Sequence, residues 1–174
     1  MTMHRTPQYI VLFVVLMLLQ AFMFDNLALS TYFNPMIYIV FIILLPMDSL
    51  PVTVLLSGLV LGLSADFFTG GQGLNIAATL PAAFLRQPLL ARLCDRDDLR
   101  DGGIPSAQRL GNEWRFMRLA TAVVAVHHTL FFVLESFSWQ QLPYTLLRIV
   151  LSGAFTLLFA WVAARLFTHY ARVR

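Results

Sequence analysis

Long apolar segments separated by short polar interruptions run along almost the whole chain. Turn and helix-stop residues break the pattern near position 25, at 34–35, at 46–51 and at 69–73. Most segments between these breaks approach the roughly 20 residues that a helix needs to cross the hydrocarbon core of a bilayer. The pattern therefore predicts a bundle of transmembrane helices.

Six membrane spans are predicted within a single domain, residues 1–174. They are 9–24, 34–46, 50–68, 74–94, 117–137 and 144–167, with a cytoplasmic loop at 95–116. The second span is short, but Arg5 and Arg86 share the cytoplasmic side only if an even number of crossings separates them. Irregular backbone near Asn34 and Pro35 is tolerated where a segment packs among neighbours. We therefore expect six spans with both termini cytoplasmic.

The composition agrees with an integral membrane protein. The 174 residues are 59% hydrophobic and 12% charged, which leaves too little polar surface to coat a soluble globule. No basic residue lies between Arg5 and Arg86, whereas seven of the twelve arginines lie at 86–118. Short basic segments stay on the cytoplasmic side, so these arginines orient the bundle. Because they lie at span ends and beside acids, a nucleic-acid partner is not expected.

A face of small residues marks the third span. Gly58, Gly62 and Asp66 follow each other at four-residue steps and therefore share one side of a helix. Glycines at this spacing let another helix backbone approach closely, so a helix-packing contact is the favoured interpretation over a ligand site.

Ionisable residues in or beside the bilayer need partners, because an isolated charge in hydrocarbon is unfavourable. Asp25, Asp66, Glu135 and Arg148 all fall towards the outer face of the predicted bundle. We expect Arg148 to pair with Glu135 or Asp66 and to tie the outer halves of the helices together. A substrate or proton site formed by the same residues is the alternative.

Neither catalytic nor metal chemistry is indicated by the remaining motifs. His127 and His128 are adjacent, so they project about 100° apart on a helix and cannot both chelate one ion. Hydrogen-bonded interior histidines are the favoured interpretation. The string from Gly62 to Asp66 lacks the final glycine of a hydrolase nucleophile elbow. We therefore expect no catalytic residue, no cofactor and no metal, and a protein that is not an enzyme.

The segment that precedes the fifth span has the composition of an amphipathic helix at the membrane surface. Leu110, Trp114 and Phe116–Met117 would lie against lipid, with arginines among the headgroups. This segment is a candidate docking surface for lipid or a cytoplasmic protein.

Several strings resemble the rod shape-determining MreD family over nearly the whole chain. They are Leu45-Pro46-Met47-Asp48, Gly62-Leu63-Ser64-Ala65-Asp66-Phe67-Phe68, Gly73-Leu74-Asn75-Ile76-Ala77-Ala78-Thr79, Ala83-Phe84-Leu85-Arg86, Arg96-Asp97-Asp98-Leu99, His127-His128 with Glu135-Ser136-Phe137, and Leu147-Arg148-Ile149. None is a catalytic motif, so the resemblance rests on the set.

The resemblance implies a non-enzymatic subunit of the bacterial cell-elongation complex, in the inner membrane, that supports rod shape and peptidoglycan synthesis. Its implied partner is MreC, and indirectly MreB, RodA and a penicillin-binding transpeptidase. The face of Gly58, Gly62 and Asp66 and the outer charge cluster are the candidate contact regions for MreC. The fold implied is similar to the substrate-binding subunits of energy-coupling-factor transporters. A vitamin-type transporter subunit, with a pocket lined by residues such as Asp66, Asn75 and His127, is therefore the main alternative, and an intramembrane protease using Asp66 is a third.

Overall fold

The computed structural model describes residues 6–24, 33–94, 99, 103–105, 110, 112–136 and 142–172. Every regular element in these residues is helical, which confirms the all-α prediction. The elements are α1 (Thr6–Leu18) with a π-helical continuation (Leu19–Phe24), a 3₁₀ turn (Ile37–Ile39) leading into α2 (Val40–Leu44), α3 (Pro51–Thr69), α4 (Leu74–Leu93), α5 (Glu113–Ser136) and α6 (Leu142–Arg172).

Three of the described helices are long and apolar enough to cross a membrane. They are α3, α5 and the first 26 residues of α6, Leu142–Phe167. A shorter apolar helix covers Pro7–Phe22. Helix α4 has the length but contains Arg86 and Arg92, and α2 is only five residues long. Three helices thus support the prediction of a membrane protein, and the six-span arrangement stays a prediction.

Local sequence explains where α3 ends and α4 begins. Pro51 occupies the first position of α3, where the missing N–H of proline has no intrahelical partner to lose. Gly70 ends the helix in the left-handed conformation, with φ of 68°, and its N–H donates to the Asp66 carbonyl. Gly73, with φ of 92°, precedes the first residue of α4. The tight turn between the two glycines brings α4 back alongside α3.

Helices α3, α4, α5 and α6 pack against each other in chain order. The short second segment lies among them, because residues 35–45 are buried without exception and α2 touches α1, α3, α4, α5 and α6. A helix enclosed by protein on all sides need not match the thickness of a bilayer. This position accounts for the short length of the second segment.

The outward faces of the long helices are apolar. On α3 the exposed side chains follow a helical stripe: Val52, Leu56, Val60, Leu63 and Phe67. Phe67 exposes 83% of its surface. Soluble monomers rarely expose contiguous apolar surface of this kind, whereas lipid-facing helices do.

The prediction of an amphipathic surface segment before the fifth span is wrong in part. Helix α5 begins at Glu113, and Leu110 and Phe116 are buried in the protein core at 2% and 1% exposure. Only Trp114 of the expected lipid-facing set is strongly exposed, at 68%. Phe116 lies on the face of α5 that continues through Leu119 and Val123, so packing against the other helices determines its orientation. Most of the 95–116 loop, including Arg96-Asp97-Asp98, lies outside the described residues.

Candidate functional site

The glycine face of α3 is a contact with α4. A Cβ atom added at Gly62 would lie 2.7 Å from the Ile76 Cα, and one added at Gly58 would lie 2.9 Å from the Ala83 Cβ. Both distances are too short for real Cβ atoms, so the two helices touch where only glycine fits. The residues expected to pack helices do so here, and this face is not free for another protein.

Asp66 caps the first turn of α4 from a neighbouring helix. Its Oδ1 accepts hydrogen bonds from the Asn75 backbone N–H and side-chain amide, both at 3.0 Å, and its Oδ2 accepts one from the Ile76 N–H at 3.1 Å. Gly73 at the N-cap has no side chain to accept from these N–H groups. A carboxylate at a helix N-terminus also interacts favourably with the helix dipole. Asp66 therefore fixes α4 against α3.

A chain of hydrogen bonds continues from Asn75 into the centre of the bundle. The Tyr38 hydroxyl donates to Asn75 Oδ1 at 2.7 Å and lies 2.9 Å from His127 Nε2. Thr79 donates to the Asn75 carbonyl at 2.6 Å, and its oxygen lies 3.4 Å from the same His127 nitrogen. We call Asp66, Asn75, Tyr38, Thr79 and His127 the polar chain. It joins α3, α4, α5 and the turn before α2.

The donors of the polar chain assign the proton on His127. The single Tyr38 proton goes to Asn75 Oδ1, because the Asn75 amide group already donates to Asp66 and Thr69. His127 Nε2 must then carry a hydrogen and donate to Tyr38. Its Nδ1 has no hydrogen-bond partner among the described residues. His127 is completely buried, so its side-chain bonds are made inside the bundle.

His128 belongs to a second set of contacts on the side of α6. Its Nδ1 donates to the Val124 carbonyl at 3.1 Å, and its Nε2 lies 3.2 Å from the Thr156 hydroxyl. The two histidines thus bond to different helices, as their adjacent positions in sequence require. Both are buried and hydrogen-bonded, which is the favoured sequence interpretation. Within the described part of the chain, no three His, Cys, Asp or Glu side chains come together as metal ligands would.

Removing the Tyr38 hydroxyl tests the polar chain. We expect Tyr38→Phe to lower the free energy of unfolding by about 1–3 kcal/mol, because it leaves buried donors and acceptors on His127 and Asn75 without their partner. Unfolding of the purified protein in mixed micelles would measure the change. Thr129→Val is the control, because this exposed hydroxyl bonds to no described residue. An equal effect of the two substitutions would contradict the assigned role of Tyr38.

Two polar residues that the sequence analysis missed hold the irregular backbone before α2. Gln20 in the π-helical continuation of α1 accepts from the Ile37 N–H at 2.8 Å and donates to the Pro35 carbonyl at 3.3 Å. Ser152 of α6 accepts from the Asn34 N–H at 3.0 Å. A lone glutamine inside an apolar segment was the available signal for this contact.

Arg86, the first arginine of the basic stretch, has a structural contact that its charge alone does not predict. The sequence analysis used it as a marker of the cytoplasmic side, and the structure adds that it has no exposed surface. Its Nη2 donates to the carbonyls of Leu45, the C-cap of α2, and of Pro46. The neighbouring Gln87 donates to the Ser49 carbonyl at 2.9 Å. Arg86 therefore supplies hydrogen bonds to carbonyl groups at the C-terminal end of the enclosed helix α2, where a cation also complements the helix dipole.

Arg148 pairs with Glu135, as one of the two alternatives predicted. Its Nη1 lies 2.7 Å from Glu135 Oε2, and its guanidinium stands 4.5 Å from the centre of the Phe132 ring. The side chains expose 20% and 34% of their surfaces. Asp66, the other candidate partner, bonds to α4 instead, and Asp25 lies outside the described residues. A second ion pair, Arg165 with Glu113, joins α6 to the opposite end of α5.

Breaking the outer ion pair should weaken the α5–α6 contact. We expect Arg148→Leu to lower the free energy of unfolding by about 1 kcal/mol, a modest loss because both side chains are partly exposed. The charge exchange Arg148→Glu with Glu135→Arg should recover most of the stability, as unfolding in mixed micelles would show. Equal stability of the wild type, Arg148→Leu and Arg148→Glu would contradict a role for the pair.

The candidate site is thus a set of polar side chains that bond mainly to one another. Distances of 2.6–3.4 Å between them leave no space for a ligand between bonded partners. Such an arrangement can fix the relative positions of helices. Comparisons with protein-family models, with curated proteins and with solved structures gave no match.

Proposed function

We propose that this chain is a non-enzymatic, MreD-type subunit of the bacterial cell-elongation complex. It lies in the inner membrane with six spans and both termini in the cytoplasm, binds MreC, and through MreC acts on MreB, RodA and a penicillin-binding transpeptidase. The observation that carries the proposal is that several of the strings resembling that family contain residues that bond one helix to another.

The contacts between these strings support a structural role. Arg86, at the end of one string, bonds to the Leu45-Pro46 string. Asp66 bonds to the string that contains Asn75. Glu135 and Arg148 connect two more. Each of these contacts fixes one helix against another, which is a structural role and needs no catalytic motif.

The transporter alternative draws less support from the same contacts. Its pocket would be lined by polar residues that include Asn75, His127 and Glu135. Asn75 and His127 are both bonded to Tyr38, and Glu135 is bonded to Arg148. A substrate would have to replace these bonds before it could bind.

The partner surface must differ in part from the one expected. The face of Gly58, Gly62 and Asp66 was a candidate contact for MreC, but α4 covers it. The Glu135–Arg148 cluster keeps part of its surface exposed and stays a candidate for a helix or a periplasmic segment of MreC.

Depletion and capture test the proposal. Depleting the protein should convert rod-shaped cells to rounded ones, and the tagged protein should capture MreC in mild detergent. Gly153→Ala is a control that should leave the capture of MreC unchanged, because the added methyl makes only an ordinary contact with Val124. Unchanged cell shape together with absence of MreC would contradict the proposal. A vitamin that raises the melting temperature would instead favour the transporter subunit.

A further inference from the structure

The exposed face of α5 changes character at its first two turns. One outward side of the helix is formed by exposed residues that follow each other at intervals of three or four: Trp114, Arg118, Thr121 and Ala125. Arg115 is exposed beside them. The exposed faces of α3 and of the start of α6 carry mainly large apolar residues, so a tryptophan with two arginines is distinctive.

The contacts of these arginines differ from those of Arg86, Arg148 and Arg165. Arg86 bonds inside the bundle, and Arg148 and Arg165 each pair with a carboxylate. The Arg118 side chain makes no hydrogen bond or ion pair with any described residue, and the Arg115 side chain makes only a 3.4 Å bond to the Leu110 carbonyl.

A third exposed arginine lies on the neighbouring helix α4. Arg92 lies in the last turn of α4, which packs against α5, and it too bonds to no described residue. The adjoining ends of α4 and α5 therefore present three arginines whose charges no described carboxylate balances.

The depth of Arg118 suits a membrane surface. Helix α5 has 24 residues and is about 36 Å long, slightly more than the roughly 30 Å hydrocarbon core that it can cross. Its first turns therefore reach the headgroup level. Tryptophan favours that level, and an arginine one turn further in can extend its guanidinium back to it.

We propose that Trp114, Arg115 and Arg118, with Arg92 alongside, bind the phosphate of an anionic phospholipid. The guanidinium groups would donate paired hydrogen bonds to phosphate oxygens. The small side chains of Thr121 and Ala125 leave room for an acyl chain along α5. A zwitterionic lipid carries its own cation, so its net charge gives the arginines no electrostatic preference for it.

Quenching of Trp114 fluorescence tests the site in the full chain. For this experiment the other two tryptophans are replaced, by Trp139→Phe and Trp161→Phe, so that all tryptophan fluorescence comes from Trp114. This variant is placed in phosphatidylcholine nanodiscs that contain dibrominated phosphatidylglycerol or dibrominated phosphatidylcholine. We expect stronger quenching by the brominated phosphatidylglycerol. The preference should fall about fivefold for each of Arg115→Gln and Arg118→Gln, as expected for one arginine near an anionic surface.

Arg148→Gln is the matched control, because it removes the same charge at the other end of the bundle. It should leave the preference unchanged. Equal quenching by the two lipids, or a preference that survives the double substitution of Arg115 and Arg118, would overturn the proposal. Displacement of the brominated lipid by millimolar inorganic phosphate would also overturn it, since the site would then bind free phosphate. Unfolding in phosphatidylcholine alone confirms that the variants are folded.

Discussion

Replacing Gly62 by alanine is expected to destabilise the bundle by about 3 kcal/mol. The added Cβ would lie 2.7 Å from the Ile76 Cα and 3.2 Å from the Asn75 carbonyl oxygen, so it would meet the backbone of α4. Backbone cannot rotate away as a side chain can, and the two helices must separate. Asp66 lies one turn further along α3, so the separation would also lengthen its bonds to α4. Unfolding in mixed micelles would measure the loss.

Two other glycines provide the comparison. Gly153→Ala should be neutral or slightly stabilising, because its methyl group meets only the Val124 side chain at 3.7 Å and alanine favours helix. Gly58→Ala should cause a loss of stability between those of Gly62→Ala and Gly153→Ala. Adding Ala83→Gly to Gly58→Ala should restore the stability, because the clash involves the Ala83 Cβ alone. The same loss at Gly62 and Gly153 would show that close approach to α4 is not the cause.

Replacing Asp66 by asparagine is expected to lower the free energy of unfolding by about 2–4 kcal/mol. The carboxylate accepts from the backbone N–H groups of Asn75 and Ile76 through both of its oxygens. An asparagine side chain offers one acceptor oxygen, and its NH₂ group would point at one of these two N–H groups, so that two donors would face each other. Charge-assisted hydrogen bonds contribute more than neutral ones, so the loss of charge adds to the loss of an acceptor.

Asp48→Asn is the matched control for this substitution. Asp48 is exposed in the connection between α2 and α3 and bonds to no described residue. Its substitution should change the free energy of unfolding by less than about 0.5 kcal/mol. Hydrogen exchange at the first turn of α4 would add a local readout, because Asp66→Asn should speed exchange there. Unaltered exchange and stability would contradict the capping role.

The sequence predicted those parts of the site that depend on spacing within one helix. Gly58, Gly62 and Asp66 could be placed on a common face because helical periodicity is fixed. The divergence of His127 and His128 follows from the same geometry. The pairing of Arg148 with Glu135 was one of two alternatives, since similar depth along two helices limits the partners of a charge.

The contacts between helices could not be predicted in this way. Tyr38 looked like any aromatic residue in an apolar segment, yet its hydroxyl connects Asn75 to His127. Gln20 and Ser152 each support backbone that precedes α2. Hydrogen bonds between segments far apart in sequence depend on which helices become neighbours, and hydrophobic pattern does not encode that order.

The sequence by itself determined an all-helical chain with helices suited to a membrane, because apolar segment length and helix-stop residues are local properties. The tertiary structure decided what each polar residue does. It placed Arg86 in the core at the end of α2, although its charge had indicated only the cytoplasmic side, and it left Arg118 on the surface without a described partner. The reason is that burial of a side chain depends on the neighbours of its helix, and those are set by packing of the whole bundle.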